Sequence, residues 1–596
     1  MAKFVDFYSL DAERFQAKCK LCVETTIIKY SASSKTNLKT HIEGFHRHAT
    51  AEQKAAAIGT GTVAAVFKGP PVFSNQEAIT NTVCDMIIDL HLPVSIIEKP
   101  SFRKVLAVAS KNLYKPICYK TMRDRIIKKS NWIFNFAEYE REFRKPSATV
   151  DIWSSRKRRG YMAISLHCQT KSGLDTKVLD FVHIPSPHTG ENIKLTFDKV
   201  LAEHGLAPTD IFKIVCDNAS NMKKAFRVSI WETNEDEDEE NEDDIDDPDA
   251  VSDIDVHFDD LFQDQFRRPC SIHTIQLLVK DCLEAIPAKY KQVIEKAKAV
   301  CRKQHMSTKI SEAMSAQLPA PGETRWNGQY RLLVKIEENW EDVKQKIGLF
   351  VDSDIPFLRS IIKFLKPFYD LTKRLEYEKI STVQDVIPLL CKLERDITNC
   401  GMPAPFVQDC LHALERRFGF ICEDPHLLSA TVLSSHGFKW LNIAREKNVF
   451  LKFDTQDKLL SVIKGYLGNL IDEATADLID STSTAERPAK FQKVSESLFG
   501  YEEVPENDEA VNWAITFDQH LLRTTSLSTT VDASAYWLSQ PKSALQKVAL
   551  MILAVPASSA PVERIFSHAG LVCSPKRTSM KDDLLAALVK AKYNSL

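Results

Sequence analysis

The stretch KIVCDNASNMKKAF, Lys213 to Phe226, decides how the chain is read: a short apolar strand ends on Asp217 and turns at once into a helix. An Asp in that place caps a helix by accepting a hydrogen bond from its first backbone N–H groups. On this stretch alone the cap is the commoner reading; the other is a carboxylate presented at the end of a sheet, which a second acidic residue beside it would favour. Upstream, SATVDIWSS (Ser147 to Ser155), GYMAISLHCQT (Gly160 to Thr170) and TKVLDFVHI (Thr176 to Ile184) are β-branched or apolar runs that read as three strands, the first two joined by the basic turn RKRRG. An amphipathic helix near TGENIKLTFDKVLAEHG follows, stopped by Gly205, and the strand IFKIVCD comes next. In that order the first and last strands can lie side by side, about 4.8 Å apart, so that Asp151 and Asp217 face one another. A cap needs no such partner.

Two adjacent carboxylates repel, and they persist at neutral pH only if a cation bridges them or one is protonated. Magnesium suits such a site, binding through one or two carboxylates and the phosphate oxygens of a substrate. A third acidic ligand is expected, and AVPASSAPVERIFSHAG (Ala554 to Gly570) offers it: Pro561 opens a helix whose first turn holds Glu563. A first-turn carboxylate is also favoured by the helix dipole. A capping box, however, needs Ser or Thr three residues earlier, where Ala560 stands, and this favours the ligand reading.

The chain has 596 residues, 44% of them hydrophobic, enough for several domains. No apolar run approaches the roughly 18 residues of a membrane span, and MAKFVDFYSLDAERF has no basic flank followed by an apolar block, so no export is expected. The 14 cysteines are scattered, which predicts reduced thiols and makes any close pair a candidate metal site. A net charge of −2 averages two unlike regions: Glu232 to Asp264 holds eighteen carboxylates with no Lys or Arg, leaving about +16 on the remainder. Such a block repels itself and buries little, so Glu232 to Asp260 reads as a disordered insertion, either a solvated loop or a competitor for DNA.

At the N-terminus CKLC (Cys19 to Cys22) and HIEGFH (His41 to His46) give C-x2-C and H-x4-H. Two thiolates on a turn facing two imidazoles one helical turn apart supply the tetrahedral set Zn²⁺ prefers, so Cys19, Cys22, His41 and His46 are expected to hold zinc. KYSASSKTNLKTHIEGFH reads as a Ser-rich turn entering a helix, with Lys29, Lys35 and Lys39 able to meet phosphates. The long gap and the aromatic lead-in FVDFYSL resemble a BED-type finger more than the tandem kind. A linker, AAAIGTGTVAAVFKGPP, leads to a helical region from Asn75 to about Lys145 with prolines at 93, 100 and 116 expected to break it.

Taken in order, VDIWSS, VCDNASNM, CSIHTIQLLVKD, ETRWNGQYRLL and PASSAPVERIFSHAGLVCSPKRTSM resemble the hAT superfamily of DNA transposases, with a BED-type zinc finger in front. The resemblance implies a multidomain α+β chain: an RNase H-like mixed-sheet catalytic core interrupted by a large all-α insertion, preceded by the finger and a small helical domain. The expected bounds are 1–50 for the finger, 51–74 linker, 75–146 helical DNA-binding and dimerisation domain, and 147–231 first part of the core. After them come 232–265 acidic insertion, 266–542 helical insertion with FLRSIIKFLKPFYDLTKRLEY and VIPLLCKLERDI as helices, and 543–596 last part of the core with a C-terminal dimerisation helix.

The same resemblance implies that Asp151, Asp217 and Glu563 form a DDE triad holding Mg²⁺ or Mn²⁺, and that the zinc of the finger is structural. The enzyme would hydrolyse a phosphodiester at the transposon end, leave a hairpin on flanking DNA and join the freed 3′-OH ends to target DNA. Trp153 and Trp326 match tryptophans that stack on an extruded base, whose unstacking an aromatic face partly offsets; either can instead be a core tryptophan. His273 matches a histidine near the scissile region; with Cys270 it could suggest zinc, but no second pair lies nearby. Arg325 and Arg564 are phosphate ligands or partners in buried ion pairs. The run Arg156, Lys157, Arg158, Arg159 clamps backbone phosphates or is a solvated hairpin tip. Leu584, Leu588 and Ala591 make one stripe of the C-terminal helix, a dimerisation element in the family. The expected partners are double-stranded DNA, both terminal inverted repeats and target, and a second copy of the chain; the expected compartment is the nucleus. The acidic block, and Phe and Tyr where many BED fingers carry Trp, depart from the family. The alternative, a domesticated DNA-binding regulator, would be supported by loss of a triad carboxylate, and all three are present.

Overall fold

The structure, a computed structural model, describes residues 7–11, 13, 15–22, 26–31, 36–45, 76–131, 139, 145–155, 158–226, 266–320, 326–435, 437–446, 453, 455–482, 509–526, 532–573 and 580–594. They fall into two compact units, Met1–Asp85 with Val94–Tyr119, and Met86–Pro93 with Lys120–Leu596. The acidic insertion and the linker lie outside the described residues.

In the first unit, β1 (Tyr8–Asp11), β2 (Gln16–Cys19) and β3 (Ile27–Lys29) form an antiparallel sheet followed by the helix Thr36–Phe45. Phe7, Tyr8, Ala17, Cys19 and Leu38 make its small core, and the Tyr8 hydroxyl donates to the Leu38 carbonyl at 2.8 Å, tying sheet to helix. The aromatic lead-in is thus spacer and brace in one residue. Helices follow over Gln76–Asp89, Pro100–Ala109 and Tyr119–Ser130. Pro100 begins a helix rather than breaking one, because the N–H it lacks would be an orphan at the first turn. The stretch expected as one helical domain is divided, since Met86–Pro93 and the residues after Tyr119 belong to the second unit.

The second unit is built on a five-stranded mixed sheet of β4 (Ser147–Ser154), β5 (Gly160–Thr170), β6 (Gly173–Ile184), β7 (Ile214–Cys216) and β8 (Arg267–Pro269), in the order β6-β5-β4-β7-β8. β4 pairs antiparallel with β5 and parallel with β7. The parallel pairing needs a crossover, and the helix Gly190–Glu203 supplies it. Thr189 caps that helix, accepting from the Asn192 N–H, and Gly205 at φ +73° ends it. Side chains alternate across the strands. Ala148 and Val150 of β4 and Met162, Ile164 and Leu166 of β5 join the core that contains Ile193, Phe197 and Leu201 of the crossover helix. The odd-numbered residues of β4 carry Asp151 and Trp153 to the other face.

β8 lies in the stretch expected to open the helical insertion. Its three residues, Arg267, Arg268 and Pro269, have no alternation to announce a strand; they extend because β7 offers a parallel edge, with Ile214 opposite Arg267. From Ser271 the chain is helical, including Ser271–Glu284, Ile355–Leu375 with Pro367 inside, Val386–Thr398 and Ala404–Phe418. One continuous hydrophobic cluster runs from Val150 and Ile164 of the sheet to Phe364, Phe406 and Phe418 of these helices, so sheet and insertion share a core. The helices Ala560–Val572 and Asp582–Asn594 then return to the sheet. Leu584, Leu588 and Ala591, the expected dimerisation stripe, are buried within the chain; Asn594 hydrogen-bonds both the N–H and carbonyl of Val178 in β6, and Lys590 meets Asp180 at 2.9 Å. That stripe covers its own sheet. Among the described residues no helix is long and apolar enough to cross a membrane.

Candidate active site

Thr149 of β4 stands opposite Val215 of β7, so continuing the register two residues brings Asp151 level with Asp217 at the open end of the sheet. One Asp151 oxygen accepts the Ile152 N–H at 2.8 Å. Asp217 does both things its sequence allows: Oδ1 accepts the Ala219 N–H at 3.2 Å, shaping the turn into the helix Ser220–Phe226, while the carboxylate stays beside Asp151.

Glu563 arrives on the helix Ala560–Val572. That helix is docked by aromatic packing: Phe566, three residues after Glu563, stacks on Trp153 with ring centroids 6.2 Å apart and planes at 16°, and meets Phe181 at 6.4 Å. Since Trp153 is two residues after Asp151 and Phe566 one turn after Glu563, the contact that fastens the helix also brings the carboxylates together. Ser559 at the helix start makes no side-chain cap, so Glu563 has no capping-box duty. Its Oε1 lies 3.4 Å from Nε2 of His273.

His273 sits in the first turn of the helix Ser271–Glu284. Behind it the Cys270 N–H donates to the Cys216 carbonyl at 2.8 Å, the Ser271 N–H to the Ala557 carbonyl at 3.0 Å, and the Ser559 N–H to the Cys270 Sγ at 3.3 Å. Arg267 of β8 reaches the Asp217 carbonyl and the Asn218 side chain at 3.3 and 3.2 Å.

The electrostatics follow from crowding. Burial, then the charge of Asp217, pushes the Asp151 carboxyl up to about 7, against the opposing pull of His273. Burial works against a charged His273, but Cys270, Asp151 and Glu563 outweigh it and hold the imidazole well above its ordinary range. Three carboxylates and an imidazole are an oxygen-rich set of the kind Mg²⁺ and Mn²⁺ prefer, and the residues fit such an ion.

The other expected site residues divide. Arg158, at φ 55°, and Arg159 are exposed in the β4–β5 turn. Arg159 is paired with Asp582 at 3.0 Å, which also accepts from the Tyr161 hydroxyl, so it braces the C-terminal helix rather than standing ready for a phosphate. Arg564 takes the ion-pair alternative, with Glu378 at 2.8 Å. Trp326, 8% exposed, packs edge-on to Tyr330 and Phe368, so a base has no open face to stack on in this conformation. Trp153 is half-buried in its aromatic cluster. Lys39 is exposed on the helix Thr36–Phe45. Lys35, His46, Arg156, Lys157 and Arg325 lie outside the described residues. Phe566 had no role in the sequence reading, and Cys270 was weighed there only as a zinc ligand beside His273 and set aside; the i+3 spacing of Phe566 from Glu563 is the signal that would have found the first.

In the N-terminal three-stranded sheet and its helix, ligand atoms of Cys19, Cys22 and His41 lie within 4.8 Å of one another, and the Cys22 Sγ is 3.4 Å from the His41 Nε2. Tetrahedral zinc with bonds of about 2.3 Å to sulfur and 2.0 Å to nitrogen spaces such atoms roughly 3.5 Å apart. The three fit a zinc ion, with the fourth position left for a further ligand.

Comparisons with known proteins match both halves of this arrangement. Residues 149–236, holding Asp151 and Asp217, match a family model described as the ZBED1 RNase-like domain, and residues 518–595, holding Glu563, match the hAT family C-terminal dimerisation region. The chain is 22% identical over 483 residues to a Zea mays protein named as an AC transposase, covering 75% of this chain and 56% of that one. It is 22% identical over 255 residues to the Hobo transposase of Drosophila melanogaster, covering 42% and 34%, and 21% identical over 507 residues to an AC9 transposase of Zea mays, covering 75% and 57%. The chain spans between a third and a little over half the length of these relatives. Its split core is that of an RNase-like domain closed by a hAT C-terminal region, and the chain is related to the hAT transposases.

Proposed function

We propose that the chain is a DDE-type, cut-and-paste DNA transposase whose active site is Asp151, Asp217 and Glu563. The observation that carries this reading is the convergence of the three carboxylates from β4, the end of β7 and a helix more than 300 residues further along the chain. When bound, Mg²⁺ or Mn²⁺ polarises phosphate oxygens and lowers the pKa of water. Asp151 and Asp217, set side by side on neighbouring strands, and Glu563 in the first turn of its helix would hold that ion. His273, 3.4 Å from Glu563, orients that carboxylate and offers a ring N–H to a phosphate oxygen. The reaction is hydrolysis of a phosphodiester at the transposon end, attack of the new 3′-OH on the opposite strand to leave a hairpin on flanking DNA, and joining of the transposon 3′-OH to target DNA.

The remaining roles complete the reading. Cys19, Cys22 and His41, with His46, hold structural zinc in a BED-type finger whose Lys39 face meets DNA. Two copies hold the two transposon ends, through a surface other than the Leu584–Ala591 stripe, and the chain works in the nucleus.

The test is cleavage of duplex DNA carrying the repeats that flank the gene, in Mg²⁺ or Mn²⁺, by wild type and by Glu563→Gln. Hairpin products are expected from the wild type, reduced at least 10²-fold in the variant. Binding without cleavage by the wild type would instead indicate a DNA-binding regulator.

A further inference from the structure

Asp217 and Glu563 come from segments with no shared secondary structure, yet their separation must be held to a fraction of an ångström for one ion to touch both. The register of β4 against β7 fixes Asp217 relative to Asp151. The aromatic contact of Phe566 with Trp153 fixes the body of the Glu563 helix but leaves its first turn to other anchors. One residue touches both approaches. Cys270, fully buried, donates its N–H to the carbonyl of Cys216, the residue before Asp217, and its Sγ accepts the N–H of Ser559, the residue before the Glu563 helix. The next N–H, of Ser271, holds the Ala557 carbonyl two residues upstream of Ser559. One turn further, His273 meets Glu563 itself.

We infer that Cys270 is a positioning residue that clamps the end of β7 to the start of the Glu563 helix and so sets the spacing of the Asp217 and Glu563 carboxylates. The inference rests on the reading of Asp151, Asp217 and Glu563 as one divalent-ion site. The backbone half of the clamp survives every substitution but proline; the side-chain half survives only one that keeps an acceptor. Loss of the sulfur acceptor strands a buried N–H at Ser559, which the chain relieves by shifting the helix start. A shift of that kind changes ion binding without unfolding the core, because Phe566 still fastens the helix.

The test uses the full zinc-loaded chain and Mn²⁺, with free Mn²⁺ read by electron paramagnetic resonance. Cys270→Ala removes the acceptor but leaves a cavity. Cys270→Val removes it without opening a cavity, adding one carbon at a backbone (φ −64°, ψ 114°) that β-branched residues accept, and a thermal melt beside the wild type checks that it is folded. Cys270→Ser keeps an acceptor. Expected are roughly 10–100-fold weaker Mn²⁺ binding for Cys270→Val, the size seen when groups that orient metal ligands are removed, and substantial recovery for Cys270→Ser. In cleavage, kcat should fall with KM for DNA unchanged. A Glu563-dependent Mn²⁺ site as tight in Cys270→Val as in the wild type overturns this inference alone. A wild-type chain with no Mn²⁺ site that Glu563→Gln abolishes overturns the metal reading and this inference with it.

Discussion

Asp217 shows how one residue satisfies two sequence readings: an oxygen on the Ala219 N–H makes the turn, and the carboxylate faces Asp151. Three buried histidines show the opposite economy, each disfavoured as a cation by its burial. His520 is pinned neutral, Nε2–H donating to the Val432 carbonyl at 3.0 Å and Nδ1 accepting from the Tyr536 hydroxyl at 3.1 Å. Burial, aided by the charge of Arg523, lowers its pKa from 6.5 to about 4. Burial depresses His167 to about 3 and His568 to about 4 in the same way. Below 6.5 the unfolded chain binds protons that these sites refuse, so stability is full above that pH and falls as pH drops through the window down to about 4. His520→Gln, which keeps a donor and an acceptor, should reduce the loss of unfolding free energy between pH 7 and pH 5 by up to about 2 kcal/mol, read by urea titration. Equal pH dependence in the two proteins would contradict this assignment.

At the scale of elements, what was legible in the sequence was whatever local chemistry specifies. The β-branched runs gave β4, β5 and β6, the Thr189 and Gly205 signals bounded the crossover helix, and the 3.6 period located Ile355–Leu375 and Val386–Thr398. What was not legible depends on distant partners. Arg267–Pro269 is a strand only because β7 is beside it, Trp326 is buried only because Phe368 arrives from another helix, and the C-terminal stripe reads as a partner surface until β6 is seen beneath it. For the site, residue types and spacing were enough to single out Asp151, Asp217 and Glu563, but not the Trp153–Phe566 contact or the Cys270 clamp that bring them together. The helix Ser271–Glu284 is tied to Ala404–Phe418 by Asp281, which meets Arg417 at 2.9 Å and Arg416 at 2.8 Å, with Arg417 only 5% exposed. Asp281→Asn leaves that guanidinium without its counter-charge and should destabilise the chain by about 3 kcal/mol in thermal or urea unfolding. A change under about 0.5 kcal/mol would show that the pair does not join the two helices.

For the whole molecule, the charge asymmetry is the feature with the widest consequence. A net charge of −2 conceals a remainder of about +16 once the eighteen carboxylates of Glu232 to Asp264 are set aside. If the acidic block competes with DNA for the basic surface, deleting 232–264 should tighten non-specific duplex binding and steepen its salt dependence, because more phosphates are then neutralised by the chain's own cations. Unchanged affinity and slope would leave the block as a solvated insertion. Residues 518–595 match the hAT family C-terminal dimerisation region, and within that stretch Leu584, Leu588 and Ala591 are buried against the chain's own sheet.

The proposed divalent-ion site joins three carboxylates that are distant in the chain, Asp151, Asp217 and Glu563. Anomalous diffraction from crystals of the full chain soaked in Mn²⁺ tests it most directly. A peak is expected within about 2.2 Å of oxygens from Asp151, Asp217 and Glu563, lost in Glu563→Gln. A wild-type crystal with no peak at those residues, or with one that survives Glu563→Gln unchanged, would contradict it.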